Sequence, residues 1–133
     1  VSKVLSFSYG HRLINYDGKC KNLHGHNAKV EIVLASQALD VKGMVFDFGD
    51  VQKKLKGWID QNWDHRMILS ESDPLLAVLR KTDPTVTTIT TNPTAENLAK
   101  ILFEKAKELD LPIVEISFWE TENSKATYSA SST

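Results

Sequence analysis

The stretch Cys20-Lys21-Asn22-Leu23-His24-Gly25-His26-Asn27 concentrates the residues best suited to chemistry. Side chains two residues apart on an extended strand point to one face. His24 and His26 can therefore reach a single ion. Neutral imidazole is the commonest metal ligand. Cys20, four residues before His24, offers either a further ligand or a separate reactive thiol.

The elements that would position these side chains follow from hydrophobic periodicity. Val4 to Leu13 reads as a strand, with Leu5, Phe7, Tyr9 and His11 on one face and Ser6, Ser8 and Gly10 on the other. Asn15 to Asn22 is polar, and Asp17-Gly18 marks a turn. His24 to Ala35 reads as a second strand, in which His24, His26, Ala28, Val30, Ile32 and Leu34 share a face. Antiparallel pairing of the two strands would set His11 beside His24 and His26.

Three neutral imidazoles with an open fourth position form the pattern of a catalytic zinc site. Two other readings stand beside it: buried structural histidines, and a structural site made of Cys20 with the three histidines. The polar setting of Cys20 favours a thiol that meets a substrate, and a nearby cation would lower its pKa.

Further along, Asp47 reads as the cap of a helix with Val51, Leu55, Trp58, Ile59 and Asn62 at helical spacing. Lys53, Lys54 and Lys56 lie around it as a solvated face. Asp64-His65 follows, where a carboxylate can orient an imidazole and raise its basicity. Such a dipeptide is also common in purely structural settings. Ser70 to Asn92 reads as irregular, with a short helical turn near Leu75 to Leu79. A second helix opens at Pro93-Thr94-Ala95-Glu96-Asn97, capped by Thr94 or by Asn92 with Pro93 at the first helical position. Its inner stripe is Ala95, Leu98, Ala99, Leu102, Ala106 and Leu109. Ile113 to Thr121 reads as a third strand, with Val114, Ile116, Phe118 and Glu120 on one face. Glu120 is then either an exposed strand end or a carboxylate that grips two parallel N–H groups of a ring edge. Lys125 to Ser131 reads as a fourth strand. The order strand, strand, helix, helix, strand, strand argues for an α+β fold, an antiparallel sheet with helices on one face.

The 133 residues suit one domain, 1–133. With 16 Lys and Arg against 17 Asp and Glu, nothing in the charge balance calls for nucleic acid or a membrane surface. No apolar run approaches the roughly 20 residues of a membrane span. No signal-peptide pattern opens the chain at Val1, and its one cysteine excludes an internal disulfide, so a reducing cytoplasm is the expected compartment.

These pieces together resemble the 6-pyruvoyl-tetrahydropterin synthase and 6-carboxy-tetrahydropterin synthase (QueD) family. The matching segments are Phe7-Ser8-Tyr9-Gly10-His11-Arg12-Leu13, Cys20-x-x-x-His24-Gly25-His26-Asn27 and Gly43-Met44-Val45-Phe46-Asp47-Phe48. Asp64-His65, Pro93-Thr94-Ala95-Glu96-Asn97-Leu98-Ala99 and Glu120-Thr121 complete them. The resemblance implies the tunnelling fold: a four-stranded antiparallel sheet with two helices on one face, joined between subunits into an oligomeric barrel. It implies a homohexamer, a dimer of trimers, with active sites at subunit interfaces. His11, His24 and His26 would hold Zn2+. Cys20 would accept protons, with Asp64 and His65 as its relay from a neighbouring subunit. Glu120 would anchor the pterin ring and share in the relay, and Thr94 would lie near the ring.

The implied substrate is 7,8-dihydroneopterin triphosphate. One family activity eliminates triphosphate and leaves a pyruvoyl side chain. The other also cleaves a carbon–carbon bond, releasing acetaldehyde and leaving 6-carboxy-5,6,7,8-tetrahydropterin for 7-deazapurine (queuosine-type) synthesis. The three residues between Cys20 and His24, and Pro93-Thr94-Ala95-Glu96, resemble the carboxy-forming branch. Ala28, Ser70 and the length of Asp73 to Asn92 depart from the usual bacterial pattern. A pyruvoyl-forming synthase and a non-catalytic pterin-binding oligomer are the competing expectations.

Overall fold

A computed structural model describes residues 1–130 of the chain. Strand β1 (Ser2–His11) and strand β2 (His24–Leu34) pair antiparallel, with Tyr9 opposite His26 and His11 opposite His24. The alternation expected from the sequence holds on both. Leu5, Phe7, Tyr9, Ala28, Val30, Ile32 and Leu34 are buried, and Ser6, Asn27 and Lys29 are exposed. The link between them carries a 3-10 turn at Lys19–Lys21, which holds Cys20 half-buried.

Helix α1 (Phe48–Val51) runs through a π-helical segment (Gln52–Lys56) into helix α2 (Gly57–Asn62). Asp47 caps it, accepting from the Gly49 amide at 2.7 Å. Val51, Leu55, Ile59 and Trp63 recur every fourth residue and are all buried. A widened π turn helps residues at that spacing to stay on one side of the helix. Helix α4 (Ala95–Glu108) is capped by Thr94, whose hydroxyl accepts from the Asn97 amide at 3.1 Å, so Thr94 fills the capping position in place of Asn92. Its buried side adds Phe103 to Ala95, Leu98, Ala99, Leu102 and Ala106, while Leu109 is only half-buried. This face packs on strands β5 (Ile113–Thr121) and β6 (Ser124–Ser129). The expected end of the last strand, Ser131, lies outside the described residues.

The α+β class holds, but the sheet is not the expected four-stranded antiparallel one. Two short strands add to it, β3 (Arg66–Ser70) and β4 (Thr87–Ile89), and both join by parallel pairing, β3 to β1 and β4 to β3. Among the described residues the sheet thus has six strands in the order β4-β3-β1-β2-β5-β6. Helix α3 (Leu76–Thr82) connects them near the expected helical turn. A buried parallel strand reads as a short apolar run without alternation, which hides it in the sequence. A second correction falls on β5. A bulge sets Val33 opposite Glu115 and Leu34 opposite Ile113, so Ile113 is 8% exposed and Val114 is 41% exposed. The extra residue of a bulge shifts the following alternation by one position. Ile116 and Phe118 keep their inward places. No helix among the described residues is long and apolar enough to cross a membrane.

Candidate metal centre and active site

Pairing of β1 with β2 brings His11 beside His24, and the inward face of β2 adds His26. Glu120, near the end of β5, completes a group whose ligand atoms all lie within 4.8 Å of one another. His11 Nε2 is 3.0 Å from His24 Nε2. Glu120 Oε1 is 3.2 Å from His11 Nε2 and 3.2 Å from His26 Nε2.

Two backbone carbonyls decide what the rings present. His11 Nδ1 lies 2.6 Å from the Pro93 carbonyl and His24 Nδ1 2.7 Å from the Asn22 carbonyl. A carbonyl can only accept, so each Nδ1 carries the proton. In the neutral rings both Nε2 atoms then present lone pairs, facing each other across the cluster. His26 Nε2 is buried and has no hydrogen-bond partner among the described residues. Burial lowers the His26 pKa below the ordinary histidine value, opposed by the Glu120 charge and aided by the charges of His11 and His24. His11, 3.2 Å away, holds Glu120 below the ordinary glutamate value, against the burial that raises it.

Ligands bound at about 2.0–2.1 Å from a tetrahedral ion stand roughly 3–3.5 Å from one another. The separations here have that scale. Three imidazoles, one of them with an orphaned Nε2, and one carboxylate form a donor set that could hold a metal ion. Ring orientation by an outer hydrogen bond is what metal-binding histidines use.

Cys20 is not part of this group among the described residues, so the four-ligand cysteine arrangement is not formed. The thiol lies close enough to Tyr9 to influence its hydroxyl electrostatically. Tyr9 itself was not singled out by sequence. It is 3% exposed, and its ring packs 5.1 Å from His11 and 5.7 Å from His26. Its hydroxyl is buried without a hydrogen-bond partner among the described residues, and burial, then Glu120 and Cys20, raise its pKa well above the ordinary tyrosine value.

Asp64 and His65 are not members of the histidine and glutamate group, although His65 shares a cleft with Tyr9, His24 and Gly25. Asp64 accepts from the Ser8 amide at 3.0 Å, and His65 donates its own amide to the Ser8 carbonyl at 2.6 Å. His65 has φ +59°, the left-handed turn by which the chain leaves α2 and enters β3. His65 Nδ1 lies 3.0 Å from Asp64 Oδ1, and the imidazole is 80% exposed. Burial pushes the Asp64 carboxyl up, but the hydrogen bonds from Ser8 and His65 outweigh it and hold the group low. The pair lines a cleft with Ser6, Ser8 and Asn27, residues of the sheet face opposite Tyr9 and His11. Glu120 opens on its other side to a cavity of about 360 Å³ lined also by Ala95, Glu96, Ser124, Lys125 and Thr127. Thr94 caps the helix beside that cavity.

An α+β sheet with an inward three-histidine and glutamate cluster defines a class of metal-competent proteins. The sequence model of the 6-pyruvoyl tetrahydropterin synthase family matches residues 1–131, and the chain belongs to that family. It is 40% identical over 100 residues to a 6-carboxy-5,6,7,8-tetrahydropterin synthase of Rickettsia bellii, covering 74% of this chain and 72% of the relative. It is 32% identical to the protein of that name from Haemophilus influenzae, over 96% of both chains. Among solved structures, Caenorhabditis elegans 6-pyruvoyl tetrahydropterin synthase superposes with a TM-score of 0.73 at 28% identity, covering 98% of this chain and 94% of that one.

Proposed function

We propose that this chain is a zinc-dependent lyase that converts 7,8-dihydroneopterin triphosphate and water to 6-carboxy-5,6,7,8-tetrahydropterin, acetaldehyde and triphosphate. The observation that carries the reading is the cluster of His11, His24, His26 and Glu120 in a chain related to proteins of that name. His11, His24 and His26 would hold the Zn2+ through Nε2. The ion, when bound, would supply Lewis acidity, making protons on the substrate side chain easier to remove.

The protein's own residues do the rest. Cys20 accepts and returns the protons of the substrate side chain. Its absence from the ligand group and its electrostatic reach to Tyr9 support that role. Glu120 accepts from the donor-rich edge of the pterin, in the cavity it shares with Ala95 and Glu96. Thr94 positions the end of helix α4 beside the ring. Asp64 and His65 form the relay for the Cys20 of a neighbouring subunit. Their location on the opposite sheet face supports a site shared between chains. A homohexamer built from two rings would provide those interfaces, in the cytoplasm, where this pathway for 7-deazapurine precursors would run.

A pyruvoyl-forming outcome is the second reading, favoured by the name of the Caenorhabditis elegans structure. Metal removal tests the zinc claim common to both. Protein stripped by a chelator should lose turnover of 7,8-dihydroneopterin triphosphate, and stoichiometric zinc should restore it. Full turnover by protein shown to be metal-free would contradict the reading.

A further inference from the structure

We infer that Asn92 is a positioning residue for the metal centre, acting on His11 through the Pro93 carbonyl; the inference rests on the zinc reading above. The proton on His11 Nδ1 is fixed by one acceptor, the Pro93 carbonyl, from 82 positions away in sequence. That acceptor belongs to an irregular segment before helix α4. A loop carbonyl can orient an imidazole only if the loop and the strand end keep their relative positions.

Asn92 supplies that constraint. Its side chain bonds the backbone of Ile14, three residues after His11, in both directions. Asn92 Oδ1 accepts from the Ile14 amide at 2.9 Å, and Nδ2 donates to the Ile14 carbonyl at 2.8 Å. Only one orientation of the amide satisfies both bonds, and no other side chain of that length offers the donor and acceptor together. The backbone of Asn92 is held as well. Its carbonyl accepts from the Thr94 amide at 2.8 Å and from Asn97 Nδ2 at 2.9 Å. Asn92 thus joins the continuation of β1 to the start of helix α4, and the carbonyl of the next residue points at His11. His24 does not depend on this link. His24 is oriented by Asn22, within its own loop.

Outer hydrogen bonds to metal ligands are worth about 10- to 100-fold in metal affinity. Loss of the Asn92 side chain should act on that scale at His11 alone. The test is zinc affinity of Asn92→Ala by competition with a chromophoric chelator, with imidazole nitrogen NMR of the zinc-loaded protein. The expected result is about 10- to 100-fold weaker zinc binding. The His11 Nδ1 proton signal should shift or broaden while the His24 signal stays. Asn62→Ala serves as the control, because it removes a side-chain hydrogen bond to the Trp58 carbonyl elsewhere in the fold. It should leave zinc affinity within about twofold, which separates positioning from general loss of stability.

If Asn92→Ala does not fold, Asn92→Asp decides. It keeps the acceptor for the Ile14 amide and loses the donor, so it should also weaken zinc. Zinc affinity unchanged in a folded Asn92 variant, or equal disturbance of the His11 and His24 signals, would overturn the inference while leaving the zinc reading intact. Wild-type protein that takes up no zinc would overturn both.

Discussion

His11 Nε2 and His24 Nε2 lie 3.0 Å apart, and each ring has its other nitrogen against a backbone carbonyl. Two neutral rings held this way oppose their lone pairs. A cation between them turns that repulsion into attraction. We therefore expect about one zinc per chain, and His24→Ala should lose most of it by elemental analysis. A variant that retained its full metal content would remove His24 from the site.

The buried hydroxyl of Tyr9 has no hydrogen-bond partner among the described residues. An unsatisfied buried hydroxyl costs about 1–3 kcal/mol. Tyr9→Phe keeps the ring contacts with Phe7, Phe118, His11 and His26 and removes that cost. Chemical denaturation of the metal-free protein should show Tyr9→Phe equal to or more stable than wild type. A loss of more than about 1 kcal/mol would mean that the hydroxyl has a partner in solution.

Arg12 grips Asp73 with two hydrogen bonds, Nε to Oδ2 at 2.7 Å and a terminal nitrogen to Oδ1 at 2.5 Å. Asp73 is 4% exposed, and the Arg12 hydrogen bond, then the Leu75 amide, hold its carboxyl below the ordinary range against burial. A carboxylate depressed in the folded state contributes stability above its unfolded pKa near 3.9, lost as pH falls through the lower folded value. Urea denaturation of wild type should therefore show a stability loss below about pH 4 that Asp73→Asn lacks. Asp73→Ala at neutral pH should cost about 3 kcal/mol, because Arg12 is left partly buried and unpaired. An unchanged midpoint would mean that the pair is inert.

His65 lines a cleft with Ser6, Ser8 and Asn27, and under the proposed function each active site should draw Cys20 and His65 from different chains. Cys20→Ala should abolish turnover and keep zinc. His65→Ala should also be inactive. Unfolding and refolding the two together should restore part of the activity, since some interfaces then combine an intact Cys20 with an intact His65. Mixed particles with no activity above the separate variants would place each site within one chain.

The parts of this molecule legible in its sequence are those governed by short periods. Alternation along Leu5 to His11 and His24 to Leu34 predicted both strands, their inward faces and the meeting of three histidines. Asp47 and Thr94 were readable as caps because capping needs a particular side chain at one place. Strands β3 and β4 were not readable. Met67-Ile68-Leu69 is apolar on both sides, and β4 has three residues, so neither carries a period. The bulge at Val114 was hidden for a related reason, since alternation gives no sign of where one residue is skipped. The orienting carbonyls of Pro93 and Asn22 are backbone groups, and backbone groups leave no residue signature. The Asn92 and Asp73 contacts depend on how the chain between β3 and α4 folds back, which residue type alone does not encode.

The account stands most directly on what the zinc-loaded protein makes from 7,8-dihydroneopterin triphosphate. Acetaldehyde and triphosphate should be quantified together, with the pterin product identified by mass. The account predicts equal amounts of acetaldehyde and triphosphate, with 6-carboxy-5,6,7,8-tetrahydropterin as the pterin. Triphosphate without acetaldehyde, and a pterin that keeps its three-carbon side chain, would contradict it.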